Sequence, residues 1–135
     1  MQDLSFKEIR QRLNNFVLPD FDLIIAIANG GIVPASLVAY RTGIEMRTIR
    51  INYRDEKNNP LYETPQLITE LNYEVKKLKL LIVDDVSVTG KTLEKASSIL
   101  NGNEISTLVF KGKADFVLFP EIKTCVNWPW KVSDK

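Results

Sequence analysis

The sequence predicts an α/β protein with a doubly wound, mainly parallel sheet. Short aliphatic runs that are typical of buried parallel strands alternate with segments whose apolar residues recur at helical spacing. The connections between successive strands are long enough for right-handed β-α-β crossovers. A chain of 135 residues suits one domain, which we expect to cover residues 1–135.

The first part of the chain predicts two helices and two strands in alternation. A capping-box pattern followed by apolar residues at helical spacing indicates a helix over residues 5–16. The continuous apolar run DLIIAIA predicts a buried strand over residues 22–28. Helical spacing that ends at a glycine predicts a helix over residues 32–43, and the alternating segment MRTIRINY predicts a strand over residues 46–53.

The second part of the chain begins with a segment that predicts a long mobile loop. Residues 54–65 carry charges, two prolines and no periodicity, and loops of this length are often lids or binding loops. Beyond it we expect strands over residues 77–85, 104–112 and 116–119, and a helix over residues 92–102. Residues 120–135 form an irregular, aromatic C-terminal segment, called the hood below.

Composition narrows the classes of function. The net charge of +1 favours neither a nucleic-acid nor a membrane partner, and no apolar run approaches the ~20 residues that a bilayer span needs. Cys125 is the single cysteine, so an internal disulfide is excluded, and we expect a reducing, cytoplasmic location. The chain has no histidine, which excludes Ser-His and Cys-His nucleophiles and makes a zinc site improbable.

Three polar segments follow predicted strands of the sheet. Asn29, Gly30 and Gly31, here called the glycine loop, follow the first strand. The loop that begins at Arg54 follows the second strand, and Asp84 and Asp85 close the third. Because ligands of doubly wound sheets bind beyond the carboxyl ends of the strands, we expect these segments to line one site.

Asp84 and Asp85, the acid pair, place two like charges side by side at the end of an apolar strand. Such charges repel and need hydration or partners, so they suggest a ligand that requires two carboxylates. A solvated start of a loop is the alternative interpretation.

The acid pair is followed by the phosphate loop, residues 88–92, in which a glycine, two threonines and a helix start offer an anion nest. An ordinary helix N-cap with a tolerated lysine is the alternative there.

Two other motifs fit the same residues less well. A Walker A motif needs a glycine at position 85, where this chain has an aspartate that would repel a polyphosphate. A receiver domain carries its paired aspartates on the first strand, whereas here they close the third predicted strand. Neither a phosphate-loop NTPase nor a receiver domain is therefore predicted.

The segment LLIVDDVSVTGKTL resembles the phosphoribosyl-diphosphate (PRPP) binding motif of the type I phosphoribosyltransferases. The segment IIAIANGGIVPASLVA is similar to the pyrophosphate loop of that family. The order of the elements also resembles the small purine salvage members, so the resemblance covers nearly the whole chain. It implies the family fold with a small C-terminal hood, a Mg²⁺ cofactor and, as a rule, a homodimer.

The resemblance assigns roles around PRPP. It implies that Asp84 and Asp85 hold the ribose hydroxyls, directly or through Mg²⁺. It also implies that the 5′-phosphate is held by Val88, Thr89, Gly90, Lys91 and Thr92, and pyrophosphate by Asn29, Gly30 and Gly31. Arg54 and Lys57 of the mobile loop are the expected cationic catalytic contacts, although solvated charges without a role are an equal alternative.

The base site departs from the purine pattern. Lys111 matches the lysine that contacts the 6-oxo group of the base, and Val126 matches the hydrophobic residue whose backbone contacts it. The stacking position is Cys125 rather than an aromatic residue, although Trp128 could replace it. The position after Pro-Trp is Lys131 instead of an acid, which puts the contact with the 2-amino group of guanine in doubt.

A third departure lies in the phosphate loop. Val88 stands where the purine enzymes have an aspartate that is credited with general acid–base help, a contribution of typically ~10²–10⁴-fold. The resemblance thus implies Mg²⁺-dependent transfer from PRPP to a nucleobase, with a 6-oxopurine as the expected acceptor. The alternatives are a PRPP- or nucleotide-binding regulatory protein, and an enzyme for a non-purine base.

Overall fold

The computed structural model describes residues 1–52, 66–69 and 75–131, and the statements below concern these residues. The predicted mobile loop, with Arg54 and Lys57, lies outside them. The helices are α1 (Phe6–Asn15), α2 (Ile32–Thr42) and α3 (Lys91–Ile99). The strands are β1 (Gln2–Asp3), β2 (Leu23–Ala28), β3 (Met46–Asn52), β4 (Gln66–Thr69), β5 (Lys79–Ser87), β6 (Glu104–Gly112), β7 (Phe116–Val117) and β8 (Val126–Asn127).

Six strands form the central sheet in the order β4-β3-β2-β5-β6-β7. All neighbouring pairs are parallel except β3 and β4, which are antiparallel. Helices α1 and α2 and the hood pack on one face of the sheet, and α3 packs on the other. This architecture confirms the predicted doubly wound, mainly parallel α/β fold.

The two central strands are covered on both faces, which accounts for the apolar sequence of β2 and the apolar run over residues 80–83 of β5. All six residues of β2 are buried, since both faces of the strand are covered. Strand β5 begins at Lys79 and continues to Ser87, two residues past the predicted end. The acid pair therefore lies inside the strand rather than at its end, because the ladder with β6 continues as far as Ser87 and Gly112.

Residues at the helix ends account for where the helices begin and stop. Ser5 and Glu8 form the predicted capping box, with each side chain accepting a hydrogen bond from the other residue's backbone N–H at 3.1 and 2.9 Å. Helix α2 stops at Gly43, which has a φ of 76°. Helix α3 ends at Ile99, three residues before the predicted end, because Leu100 already leaves the helical conformation. No helix in the described part of the chain is long and apolar enough to cross a membrane.

The hood folds back onto the N-terminus. Strands β1 and β8 pair in parallel, with Gln2 opposite Val126, and this small sheet was not predicted because two-residue strands show no periodicity. The rings of Trp128 and Trp130 are stacked with centroids 5.1 Å apart, and Phe110 of β6 meets both edge-on. The aromatic residues of the hood thus anchor it to the sheet.

Gly112→Ala is expected to destabilise the protein far more than Gly102→Ala. Both glycines have a positive φ, of 114° and 98°, which alone costs about 1–2 kcal/mol for alanine. A Cβ at residue 112 would also overlap the backbone of Ser87, whereas at residue 102 the nearest atom is a lysine methylene 3.8 Å away. Overpacking adds about 1–3 kcal/mol. Free energies of unfolding in urea measure both losses, and equal losses would contradict the expectation.

Candidate active site

The glycine loop and the acid pair meet at the carboxyl ends of two neighbouring strands. Strands β2 and β5 are adjacent and parallel, with Ala26 opposite Val83. A Cβ at Gly30 would lie 2.8 Å from Oδ1 of Asp85, which means that the loop backbone lies directly against the carboxylate. The structure thus brings together two segments that the sequence separates by more than 50 residues.

Gly31 fits a space that no side chain could share. Its Cβ would lie 2.7 Å from the carbonyl oxygen of Ile27 and 2.5 Å from that of Val83. Its N–H donates to the Ile27 carbonyl at 2.7 Å, and the preceding peptide bond between Ala28 and Asn29 is cis. Glycine is required here for close backbone approach, while Asn29 stays exposed at the edge of the site.

The acid pair is buried and its two carboxyls lie next to each other. Oδ1 of Asp84 accepts the N–H of Asp85 at 2.8 Å, and Oδ1 of Asp85 accepts the N–H of Val86 at 2.7 Å. Burial, and then the charge of the neighbouring Asp85 carboxylate, hold the pKa of Asp84 well above its ordinary range. An acid pair in this state is poised to take up a cation or hydrogen-bond donors from a ligand.

Asp84→Asn is expected to stabilise the ligand-free protein. At neutral pH an ionised Asp84 costs stability, and asparagine removes that charge while keeping an oxygen for the N–H of Asp85. We expect a gain of about 0.5–2 kcal/mol, the usual size of a stabilising substitution. Because the folded protein holds the Asp84 proton more tightly than the unfolded chain, the gain is largest above the raised pKa and shrinks as the pH falls through it.

Urea unfolding from pH 8 to pH 4 measures this difference. Asp20→Asn is the matched control, since Asp20 is exposed on the loop before β2. A stability gap that widened on acidification, or a variant less stable than the parent at pH 8, would contradict the expectation.

The phosphate loop connects β5 to the N-terminus of α3. Gly90 caps the helix with a φ of 84°, and no atom would obstruct a Cβ there, so the backbone conformation alone selects glycine. Oγ1 of Thr89 accepts the N–H of Lys91 at 3.3 Å, and Thr92 is partly buried in the first turn. The N–H groups at the start of the nine-residue helix can receive an anion.

Val88 is the apolar residue of this loop and is 71% exposed. A large exposed aliphatic side chain next to a polar site is available for contact with the flat, apolar part of a ligand.

The candidate base contacts lie on β6 and in the hood. Lys111 lies opposite Val86 near the end of β6, and Val126 lies partly buried on β8. Trp128, by contrast, is 3% exposed, because Trp130 and Phe110 cover it. The prediction that Trp128 could stack on a base is therefore not supported by this arrangement, since its ring forms part of the core. Cys125 is exposed.

Lys131 enters the site in a way that the sequence did not indicate. Its Nζ lies 3.2 Å from Oδ2 of Asp85, so the hood places a cation on the acid pair. The two residues are 46 positions apart, and no spacing rule connects them. In the sequence, Lys131 was marked only by its place after a Pro-Trp pair, where the purine enzymes that the sequence resembles have an acid.

The donor set of the acid pair fits Mg²⁺. Magnesium prefers hard oxygen ligands and is usually held by one or two carboxylates together with substrate phosphates. Within residues 1–52, 66–69 and 75–131, no three acidic, histidine or cysteine side chains cluster as a metal cage. Asp84 and Asp85 would therefore hold the ion jointly with a ligand.

A buried acid pair, a backbone loop of glycines and a helix N-terminus thus follow neighbouring strands at the carboxyl end of one sheet. The family model of the phosphoribosyl transferase domain matches residues 4–129. The chain therefore belongs to the phosphoribosyltransferase family, which confirms the resemblance seen in the sequence.

Individual relatives differ in the reactions that their names give. An orotate phosphoribosyltransferase of Sulfurisphaera tokodaii is 41% identical over 93 residues, which are 67% of this chain and 43% of that protein. The transcriptional regulator GfcR of Methanocella arvoryzae is 28% identical over 112 residues, covering 78% of this chain and 54% of the regulator. The chain thus spans about half the length of these two relatives.

A solved structure supports the fold over the full length. The purine phosphoribosyltransferase from Pyrococcus horikoshii superposes with a TM-score of 0.77 and covers 98% of this chain and 97% of its own. Its sequence is 23% identical, so the likeness establishes the shared fold and leaves the acceptor base open.

Proposed function

We propose that the protein transfers the ribose 5-phosphate group of PRPP to a ring nitrogen of a nucleobase, and that this base is a 6-oxopurine. The observation that carries the proposal is the position of the acid pair, which lies between the glycine loop and the phosphate loop. PRPP presents a pyrophosphate, two ribose hydroxyls and a 5′-phosphate in the same order. Each group would meet the chemistry that binds it.

The chain's residues would act mainly by orientation. The acid pair would accept hydrogen bonds from both ribose hydroxyls, while N–H groups of the phosphate loop would hold the 5′-phosphate. The glycine loop lets backbone donors approach the pyrophosphate. With C1′ fixed in this way, a base nitrogen would form its bond to C1′ as the bond from C1′ to the pyrophosphate oxygen breaks and the base loses its proton.

Mg²⁺ held by the acid pair and by oxygens of PRPP would offset negative charge on the leaving pyrophosphate. Lys111 would donate to the 6-oxo group of the base, and Val126 would contact it through the backbone. Arg54 and Lys57 remain proposed contacts of the pyrophosphate. We also keep a homodimer and a cytoplasmic location as proposals, of which the first is measurable by light scattering.

The test is release of pyrophosphate from Mg²⁺-PRPP by the purified protein. Hypoxanthine, guanine, xanthine, adenine, uracil and orotate are offered separately, and PRPP binding is measured in parallel by calorimetry. Release with an oxopurine supports the full proposal. Release with orotate or adenine alone keeps the transferase and replaces the base.

A regulatory protein that binds PRPP or a nucleotide without transferring it is the second candidate. Two observations favour it, namely the similarity to a transcriptional regulator and the absence of an ionisable side chain at Val88. The same experiment separates the two functions. Binding of PRPP without pyrophosphate release, whichever base is present, would support the regulator.

A further inference from the structure

Lys131 is held over the acid pair by the way the hood is built. Its backbone N–H donates to the carbonyl of Trp128 at 3.1 Å, and Trp128 is fixed by its stack with Trp130 and its contact with Phe110. From this anchored backbone, the side chain reaches Oδ2 of Asp85 at 3.2 Å. The contact therefore follows from the fold of the hood.

The environment of this ion pair is asymmetric. The side chain of Asp85 is 13% exposed, whereas that of Lys131 is 54% exposed. The carboxylate is thus confined between the glycine loop and the strand, while the ammonium lies at the open side and can move away. Lysine suits such a role because its charge is carried on a flexible stem.

The charge of Lys131 offsets a repulsion inside the site. Burial and the neighbouring Asp85 carboxylate disfavour the ionised form of Asp84, and the ammonium of Lys131 works in the opposite direction. With Lys131 present, the site carries less negative charge towards an arriving polyanion. For the same reason, it offers less attraction to a free divalent cation.

We propose that Lys131 is a resident cation of the site, which occupies Asp85 in the free protein and sets the order in which an anionic ligand and a divalent cation bind. The polyanion would bind first, and Asp85, released from the ammonium of Lys131, would then be open to the divalent cation. This inference rests on the proposed PRPP site. It assigns to the hood a part in the order of ligand and cation binding, and this part does not depend on which base is the acceptor.

Removal of the charge should shift two affinities in opposite directions. Lys131→Gln is expected to bind Mn²⁺ alone about three- to tenfold more tightly than the parent, because Asp85 becomes free for the metal. The same variant should bind PRPP in EDTA about three- to tenfold more weakly, because the acid pair then repels the polyanion. Lys131→Arg should resemble the parent in both measurements.

Lys123→Gln is the matched control, since it removes the same charge from an exposed position on the hood. Mn²⁺ binding is followed by electron paramagnetic resonance, and PRPP binding by calorimetry. The fluorescence of the two tryptophans, both in the hood, shows whether the variant keeps its fold. Neither measurement depends on catalysis.

The outcomes separate this inference from the proposed function. Opposite shifts in Lys131→Gln, with parent-like values in Lys131→Arg and Lys123→Gln, support the resident cation. Unchanged Mn²⁺ affinity in a folded Lys131→Gln variant overturns it, and so do shifts of the same sign or no Mn²⁺ binding by any of the proteins. If the parent binds no PRPP with or without Mg²⁺, the proposed function and the binding order both fail, whereas the Mn²⁺ measurement still shows whether Lys131 occupies Asp85 in the free protein.

Discussion

The double variant Asp84→Asn, Asp85→Asn is expected to bind Mg²⁺-PRPP at least about 100-fold more weakly than the parent. Each carboxylate would accept hydrogen bonds from a ribose hydroxyl or hold the metal, and a hydrogen bond to a charged group contributes about 1.5–3 kcal/mol. Two such contacts correspond to at least two factors of ten in affinity. Asparagine keeps the side-chain oxygens that accept the N–H groups of Asp85 and Val86, so the strand should keep its geometry.

Calorimetry with Mg²⁺-PRPP measures the loss, and the exposed Asp20→Asn variant controls for the loss of one negative charge in each single variant. The single variants show which of the two carboxylates makes PRPP binding depend on Mg²⁺. If Asp85 is the carboxylate that Lys131 neutralises and the metal uses, Asp85→Asn should lose most of the dependence of binding on Mg²⁺. Unchanged affinity in the double variant would refute the assignment of the ribose and metal site to the acid pair.

The acid pair affects both the stability of the free protein and the expected binding of its ligand. A buried pair of like charges is unfavourable in the free protein, and the raised pKa of Asp84 is the direct sign of that cost. A ligand that brings a cation and hydroxyl donors would relieve the repulsion. We therefore expect Asp84→Asn to gain stability and the double variant to lose binding, because the acid pair that would bind the ligand is also the feature that destabilises the free protein.

The sheet and most of the candidate site could be predicted because their signals are local or follow from topology. β2 is apolar throughout and β5 contains an unbroken apolar run over residues 80–83, which indicates strands covered on both faces. Once the strands are parallel, the rule that ligands bind at their carboxyl ends places the glycine loop beside the acid pair. The close approach of Gly30 to Asp85 is the structural result of that rule.

The hood could not be predicted in the same way, because its structure depends on contacts that are distant in sequence. β8 pairs with residues at the opposite end of the chain, and two residues carry no pattern. The sequence allowed Trp128 to face a ligand or the core, and its packing against Phe110 and Trp130 places the ring in the core. The contact of Lys131 with Asp85 depends on that packing, so the sequence showed an unusual lysine without its partner.

Val88→Asp is expected to raise the turnover of hypoxanthine or guanine if the rest of the base site is intact. Val88 is 71% exposed in the phosphate loop, so the substitution should change stability by no more than about 0.5 kcal/mol. The resemblance to the purine enzymes implies that a carboxylate at this position would assist proton transfer at the base. Help of this kind is worth about 10²–10⁴-fold, and a graft without its supporting contacts should recover the lower part of that range.

The measurement is the rate of pyrophosphate release with saturating Mg²⁺-PRPP. Val17→Asp is the matched control, since Val17 is 88% exposed and follows α1, outside the candidate site. A gain in Val88→Asp that is absent from Val17→Asp would show that the phosphate loop faces the base and that the acceptor is an oxopurine. No gain, in a variant that still binds Mg²⁺-PRPP, would mean that the protein uses another base or performs no transfer. In that case the regulatory alternative would account better for an apolar residue at position 88, because a sensor needs the PRPP contacts of the loop but not the proton transfer.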